Sequence, residues 1–322
     1  MLKLNPAFKD YIWGGNKLKE LYGKKNDLER TAESWELSTH KDGPCTLKDI
    51  GEEGITLKEY LKNAEHNLLG TNVPQKDELP ILIKLIDARD NLSVQVHPDD
   101  AYAIAHEEDL GKTEMWYVLE AEPDAQLVYG FKRDITKEEF INSITSNTLT
   151  EVLNYVEVKK GDVFFIEPGT MHAIGKGLMI AEVQQSSNVT YRVYDYGRVG
   201  ADGKPRDLHI KQATEVTCLR KATQSPVQYT MQEMGDYKRG QLASCKYFSV
   251  DLLEIETSAQ LKIENTSFQA LLILEGNVKV TLGKAVLEGV KGEMLFLPAG
   301  EETYQVEGKG QILLSYLGDT LG

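Results

Sequence analysis

At 322 residues, 41% of them hydrophobic, the chain has enough apolar material for two cores. Its 36 Lys and Arg against 50 Asp and Glu leave a formal charge of -14, which argues against nucleic acid or anionic membrane as a partner. An anionic ligand must therefore find locally placed cations. Cys45, Cys218 and Cys245 are odd in number, scattered and without CxxC spacing, so neither a disulfide framework nor a thiolate metal site is expected. No stretch reads as a signal h-region or a membrane span, and a reducing, cytoplasmic location is expected.

In chain order, the pattern predicts a helix from Leu57 to His66 and a strand from Ile81 to Ile86. A helix from Asp99 to Glu108 follows, opened by Pro98-Asp99-Asp100, then a strand from Met115 to Leu119. A helix is predicted from Thr136 to Leu153, strands from Val163 to Ile166 and Leu178 to Val183, and a helix from Leu208 to Leu219. A polar break around Ala222 to Met231, containing Ser225-Pro226, precedes new strands at Phe248 to Ile255, Leu271 to Leu274 and Met294 to Leu297. The expected class is mainly β with helical insertions, divided into domains 1–225 and 226–322.

An internal repeat supports the division. Lys160-Gly161-Asp162-Val163-Phe164-Phe165-Ile166-Glu167-Pro168-Gly169 is echoed by Lys291-Gly292-Glu293-Met294-Leu295-Phe296-Leu297-Pro298-Ala299-Gly300. Both read as turn, buried strand, turn. This pattern resembles the second half of the cupin motif, which implies a jelly-roll barrel in each domain. After the reversal the copies diverge, Thr170-Met171-His172 against Glu301-Glu302-Thr303, so only the first offers a metal ligand there.

In Ser93-Val94-Gln95-Val96-His97, an extended chain points Gln95 and His97 to one face. Two polar groups on a barrel interior are costly unless paired or ligating, and a divalent ion satisfies both. Glu114, opening the next strand, and His172, after the Pro168-Gly169 turn, complete a candidate set of Gln95, His97, Glu114 and His172. Imidazole with carboxylate suits zinc, and two histidines with one carboxylate also suit ferrous iron. Lys84 interrupts an apolar run, so its ammonium either snorkels to solvent or faces the interior on the side of Leu82 and Ile86, while Ser93 shares the Gln95 face.

The segments SVQVHPDD, GKTEMWYVL, EPGTMHAIG and AEVQQSSNVTYRVYDYGR stand in an order that resembles the type I mannose-6-phosphate isomerases, in a short bacterial form. Tyr11-Ile12-Trp13-Gly14-Gly15 and Ala32-Glu33-Ser34-Trp35-Glu36-Leu37-Ser38 are similar to that family's opening signatures. The resemblance implies two cupin-like jelly-roll barrels with helical insertions, the second lacking metal ligands, and one zinc ion per chain on Gln95, His97, Glu114 and His172. It implies interconversion of mannose 6-phosphate and fructose 6-phosphate through an enediolate. Arg192 matches the family's active-site arginine, although Val193-Tyr194 replaces the commoner Ala-Gly after it. Glu182 is the candidate base, with metal-bound water as rival, and Lys112 is a further catalytic candidate. The family also carries a lysine at the position of Lys84, which implies that Lys84 faces the interior, and Lys84, Ser93 and Trp13 are expected to contact substrate. The expected partner is a small phosphorylated sugar, with no nucleic acid or membrane, and the chain a monomer or weak homo-oligomer. A ferrous cupin oxygenase and a non-catalytic sugar-binding cupin pair are the competing readings.

Overall fold

The computed structural model describes residues 1–48, 54–73, 75–200, 203–223 and 226–318. The chain opens with β1 (Leu2–Asn5), β2 (Ala7–Lys9), α1 (Lys17–Tyr22), β3 (Glu33–Leu37), β4 (Thr46–Lys48) and α2 (Leu57–Asn63). Then come β5 (Ile81–Ala88), β6 (Val94–Val96), α3 (Asp100–His106), β7 (Glu114–Ala121), β8 (Gln126–Phe131) and α4 (Lys137–Thr145). They are followed by β9 (Leu153–Glu157), β10 (Val163–Ile166), β11 (His172–Ala173), β12 (Leu178–Gln185), β13 (Tyr191–Tyr194) and α5 (Ile210–Val216). The last stretch is all strand: β14 (Gln232–Glu233), β15 (Tyr237–Ser244), β16 (Ser249–Ile255), β17 (Ser258–Ile263), β18 (Gln269–Leu282), β19 (Ala285–Val290), β20 (Met294–Leu297) and β21 (Glu302–Tyr316). The expected mainly β chain with helical insertions holds.

All four expected helices are shorter than their patterns, α2 ending at Asn63, α3 running Asp100–His106 and α5 Ile210–Val216, and the third in chain order falls furthest short. The 136–153 segment is helical only over α4, because Asn147 takes a left-handed φ of 61° and a 3-10 turn at Leu149–Glu151 leads into β9. The start of α4 is capped by the Thr136 hydroxyl, which accepts from the Glu139 amide at 3.1 Å.

Among the described residues the strands form three antiparallel sheets. A six-stranded sheet runs β10-β7-β12-β5-β3-β2, and a five-stranded sheet runs β13-β6-β11-β8-β9. Between them lies a core of Ile86, Trp116, Val118, Leu127, Tyr129, Phe164 and Ile180. On the outer side of the five-stranded sheet, Phe140 and Ile144 of α4 and Ala213 of α5 pack against Val94, Val96 and Val193. The ten-stranded sheet follows β14-β15-β16-β21-β18-β20-β1-β4, with β17 on β21 and β19 on β18. Its β1 and β4 come from the other end of the chain, Leu2 pairing with Phe296. The proposed 225/226 division falls at residues 224–225, which lie outside the described residues.

The six-stranded sheet is covered on both faces, so β5 and β12 are buried along their whole length. Period-two alternation then sorts them. Ile81, Ile83 and Leu85 of β5, Met115, Tyr117 and Leu119 of β7, and Met179, Ala181 and Val183 of β12 enter a core shared with Leu252, Phe268 and Phe296. The intervening residues, Lys84, Glu114, Trp116 and Glu182, therefore share the opposite face, toward the five-stranded sheet. In the repeat, Gly161 and Gly292 both adopt positive φ, 88° and 86°, a turn for which glycine is the least strained residue.

Candidate active site

Register brings the inner-face polar residues into one cluster. Glu182 of β12 lies opposite Lys84 of β5 on one side and Trp116 of β7 on the other, with Gln184 opposite Glu114. From the facing sheet, His172 of β11 pairs with Gln95 of β6, which in turn lies opposite Arg192 of β13.

His97, Glu114 and His172 are all buried, and one ligand atom from each lies within 4.8 Å of the others. His97 Nε2 is 3.3 Å from Glu114 Oε1, and His172 Nε2 is 3.8 Å from Glu114 Oε2. The opposite ring nitrogens are anchored on backbone: His97 Nδ1 lies 2.8 Å from the Val189 carbonyl oxygen, and His172 Nδ1 lies 2.8 Å from that of Thr170. An Nδ1–H donating to those carbonyls leaves each Nε2 lone pair aimed inward, as a metal requires. Gln95 Nε2 stands 3.4 Å from His172 Nε2. Neither Glu114 oxygen has a hydrogen bond, although Lys112 Nζ makes an ion-pair contact at 2.6 Å to Oε1. Two buried carboxylate oxygens without a hydrogen bond, one of them against the Lys112 ammonium, beside two oriented imidazoles form a donor set that fits a divalent cation.

The electrostatics agree. Burial, followed by the Lys112 ammonium, pushes His97 down to about 3, and burial also lowers His172, so both rings are neutral ligands near pH 7. For Glu114, burial works toward protonation, but Lys112 and the two histidines outweigh it and hold the carboxyl well below its usual range.

A pocket of about 280 Å³ opens onto this cluster, lined in part by Gln95, Lys112, His172, Glu182, Lys84 and Arg192. Ser93 and Trp13 also line it, so every substrate and catalytic candidate read from the sequence reaches one cavity. Glu182 is buried and accepts from Trp116 Nε1 at 2.8 Å, while Lys84 Nζ lies 3.5 Å from its other oxygen. Burial and then the Glu114 charge raise the Glu182 carboxyl above its ordinary value. Lys84 is also buried and lies 3.9 Å from Glu33 and 4.8 Å from the Trp35 ring centre. Desolvation works against its charge, but Glu33, Glu182 and Glu114 outweigh it and keep Lys84 protonated. Arg192 donates through Nε to the Ser93 hydroxyl at 3.2 Å and through Nη1 to the Asp207 carbonyl at 3.1 Å.

Arg206 went unnoticed in the sequence. It lines both this pocket and an adjoining one of about 460 Å³ that also includes Arg192, Lys204 and His209. Asp195 holds its guanidinium, accepting from Nε at 2.8 Å and Nη2 at 2.6 Å. The available signal was Lys204-Pro205-Arg206, a basic cluster in an acidic chain. Glu33 and Tyr11, also pocket residues, sat inside the two opening signatures without being singled out.

This geometry defines a class: a β-sheet protein with a candidate metal centre that meets, through His172, a pocket carrying both cations and a carboxylate. Comparison gives the family. Residues 1–121 match the phosphomannose isomerase type I catalytic domain, and residues 238–317 match the mannose-6-phosphate isomerase cupin domain. The chain is 38% identical to Mannose-6-phosphate isomerase ManA of Bacillus subtilis over 98% of each protein. It is also 38% identical to the mannose-6-phosphate isomerase of Streptococcus mutans, over 95% of this chain and 94% of that one. The crystal structure of the Bacillus subtilis mannose 6-phosphate isomerase superposes with a TM-score of 0.90 at 32% identity, covering 98% of both chains. The chain belongs to the type I phosphomannose isomerase family and is an enzyme of the isomerase class, as its motifs led one to expect.

Proposed function

We propose that the chain interconverts mannose 6-phosphate and fructose 6-phosphate, with Gln95, His97, Glu114 and His172 holding one zinc ion. The observation that carries this reading is the buried Glu182 carboxylate lining the same pocket as His172 and Gln95, with His97 and Glu114 clustered behind His172. Imidazole and carboxylate donors suit zinc, and the bound ion supplies positive charge where the sugar oxygen becomes anionic.

The chain's own residues do the rest. In the forward direction Glu182 accepts the proton from C2 of the open-chain aldose, giving an enediolate, and returns it to C1. A hydroxyl proton passes from O2 to O1, so C1 is reduced as C2 is oxidised and no external reductant is needed. A carboxyl raised by burial is a stronger base than one in water, and Trp116 Nε1 fixes its orientation. Arg192, steadied by Ser93, and Lys112 counter the enediolate charge. Lys84 holds Glu182 through their ion pair. Arg206 and Arg192 sit where the two pockets join and are the cations placed to take the phosphate dianion. Trp13 stacks with Tyr11 at 5.4 Å and forms an apolar wall for the sugar.

In this reading residues 1–225 form the catalytic cupin domain and 226–322 a second barrel without metal ligands. The chain works in the cytoplasm as a monomer or weak homo-oligomer. No helix among the described residues is long and apolar enough to cross a membrane. The test is a coupled assay of mannose 6-phosphate turnover before chelation, after it, and after zinc is restored, with metal content measured in parallel. Activity that follows zinc content supports the reading; a folded, zinc-loaded protein without turnover refutes it.

A further inference from the structure

The C-terminal strands carry no residue of the pocket, yet they reach the segment that presents Lys112 and Glu114. That segment, 111–113, is pinned through three successive amides. Gly111 N donates to Asp100 Oδ1 at 3.0 Å, Lys112 N to the Pro98 carbonyl at 3.0 Å, and Thr113 N to Gln185 Oε1 at 2.9 Å. The first and third acceptors are themselves joined, since Gln185 Nε2 donates to Asp100 Oδ1 at 2.8 Å. The other Asp100 oxygen accepts from the hydroxyl of Tyr247, in the β15–β16 turn, at 2.6 Å. Backbone approach at the first amide is close: a Cβ on Gly111 would lie 2.4 Å from Asp100 N. Beyond the segment, Lys112 Nζ contacts Glu114 Oε1 at 2.6 Å and His97 Nε2 at 3.2 Å.

We infer that Tyr247 is a positioning residue: through Asp100 and Gln185, the C-terminal strands set where Lys112 and Glu114 stand in the active site. Asp100 opens α3, a helix of seven residues, and is partly buried, and Tyr247 is the group that engages its second oxygen. The Tyr247 ring packs on the core shared by both ends of the chain, and neighbouring Phe248 lies 6.3 Å from Phe165 of β10, which gives the hydroxyl a fixed base. The inference rests on the proposed function only for its effect on turnover. The clamp itself is a geometric statement about the 111–113 backbone.

Tyr247→Phe keeps the packed ring and removes the hydroxyl. The expected result is a fall in kcat of about tenfold with KM within about twofold, because a displaced catalytic group costs rate more than ground-state binding. Amide exchange at Gly111 and Thr113 should quicken by about tenfold. Tyr316→Phe removes a tyrosine-to-aspartate hydrogen bond of the same kind, to Asp251 at 3.2 Å, elsewhere in the same sheet. It should change neither kcat nor exchange at 111 and 113. Adding Tyr247→Phe to Asp100→Ala should cost nothing further, since both cut one linkage. Parental exchange and kcat in Tyr247→Phe, equal effects from Tyr316→Phe, or additive losses in the double variant would each overturn the inference. Exchange is read without substrate, so a parent protein that fails to turn over mannose 6-phosphate would count against the proposed function and leave the clamp to be decided by exchange.

Discussion

Lys84 and Glu182 face each other across adjacent strands, Nζ 3.5 Å from Oε1, and both are buried. A buried pair of this kind is held by mutual need: removing one partner leaves the other charge without compensation. The pair also sets the basicity of the proposed proton acceptor, because Lys84 lowers the Glu182 carboxyl while burial and Glu114 raise it.

Replacing Glu182 by Gln retains the shape and removes the base. We expect kcat to fall about 100-fold or more while zinc content stays at the parental level. A coupled assay paired with metal analysis checks this. Near-parental kcat would transfer the proton step to metal-bound water.

The pH profile follows from the same carboxyl. Glu182 accepts a proton only when ionised, so kcat/KM falls as pH drops through its pKa, and that limb should lie above the usual carboxylate range because the pKa is raised. Lys84→Met removes a positive neighbour, disfavours the ionised form and should move the limb to still higher pH. A limb that stays put in Lys84→Met would show that another group governs it.

His97→Ala and His172→Ala each remove an imidazole from the cluster. We expect zinc content to fall well below one per chain in either variant, with turnover lost in parallel. In the metal-free protein His97 has a second effect. Its folded pKa, about 3, lies below the unfolded 6.5, so the unfolded chain binds the extra proton first. Stability is then fully present above 6.5 and declines as pH falls from there toward about 3. Urea unfolding of metal-free protein across this range checks the sign.

Arg192→Ala should reduce kcat/KM for the phosphosugar by about 2 kcal/mol or more, chiefly in kcat, if it counters enediolate charge. Arg206→Ala should act chiefly on KM, lowering kcat/KM about tenfold, or about 1.4 kcal/mol, through lost phosphate binding. Added inorganic phosphate should then inhibit the Arg206→Ala variant less than the parent. Equal phosphate inhibition of both would remove Arg206 from the phosphate site.

Much of the site was legible because strand periodicity is local. Gln95 shares a face with Ser93 whatever else the chain does, so its inward direction could be read before any contact was known, whereas Lys84 shares a face with Ile86 but only the family resemblance pointed its ammonium inward. The Gly161 and Gly292 turns were legible for a similar reason, since a positive φ next to a short apolar run selects glycine. The helix expected to Leu153 failed because apolar spacing continued past Asn147, whose left-handed backbone ends the regular helix. Arg206 was missed because it lies in a loop, where no periodicity reports direction and only the pairing with Asp195 aims it at the pocket.

The sequence by itself determined the mainly β class, the alternation that places Gln95 on one face with His97, and the motifs that carry the family. Those properties depend on residues a few positions apart. Only the tertiary structure decided that Glu182 stands between Lys84 and Trp116, that β1 joins the sheet of β20, and that Tyr247 reaches Asp100. Each depends on antiparallel register or packing between segments far apart in the chain, set by hydrogen bonds and shared cores that local spacing does not encode.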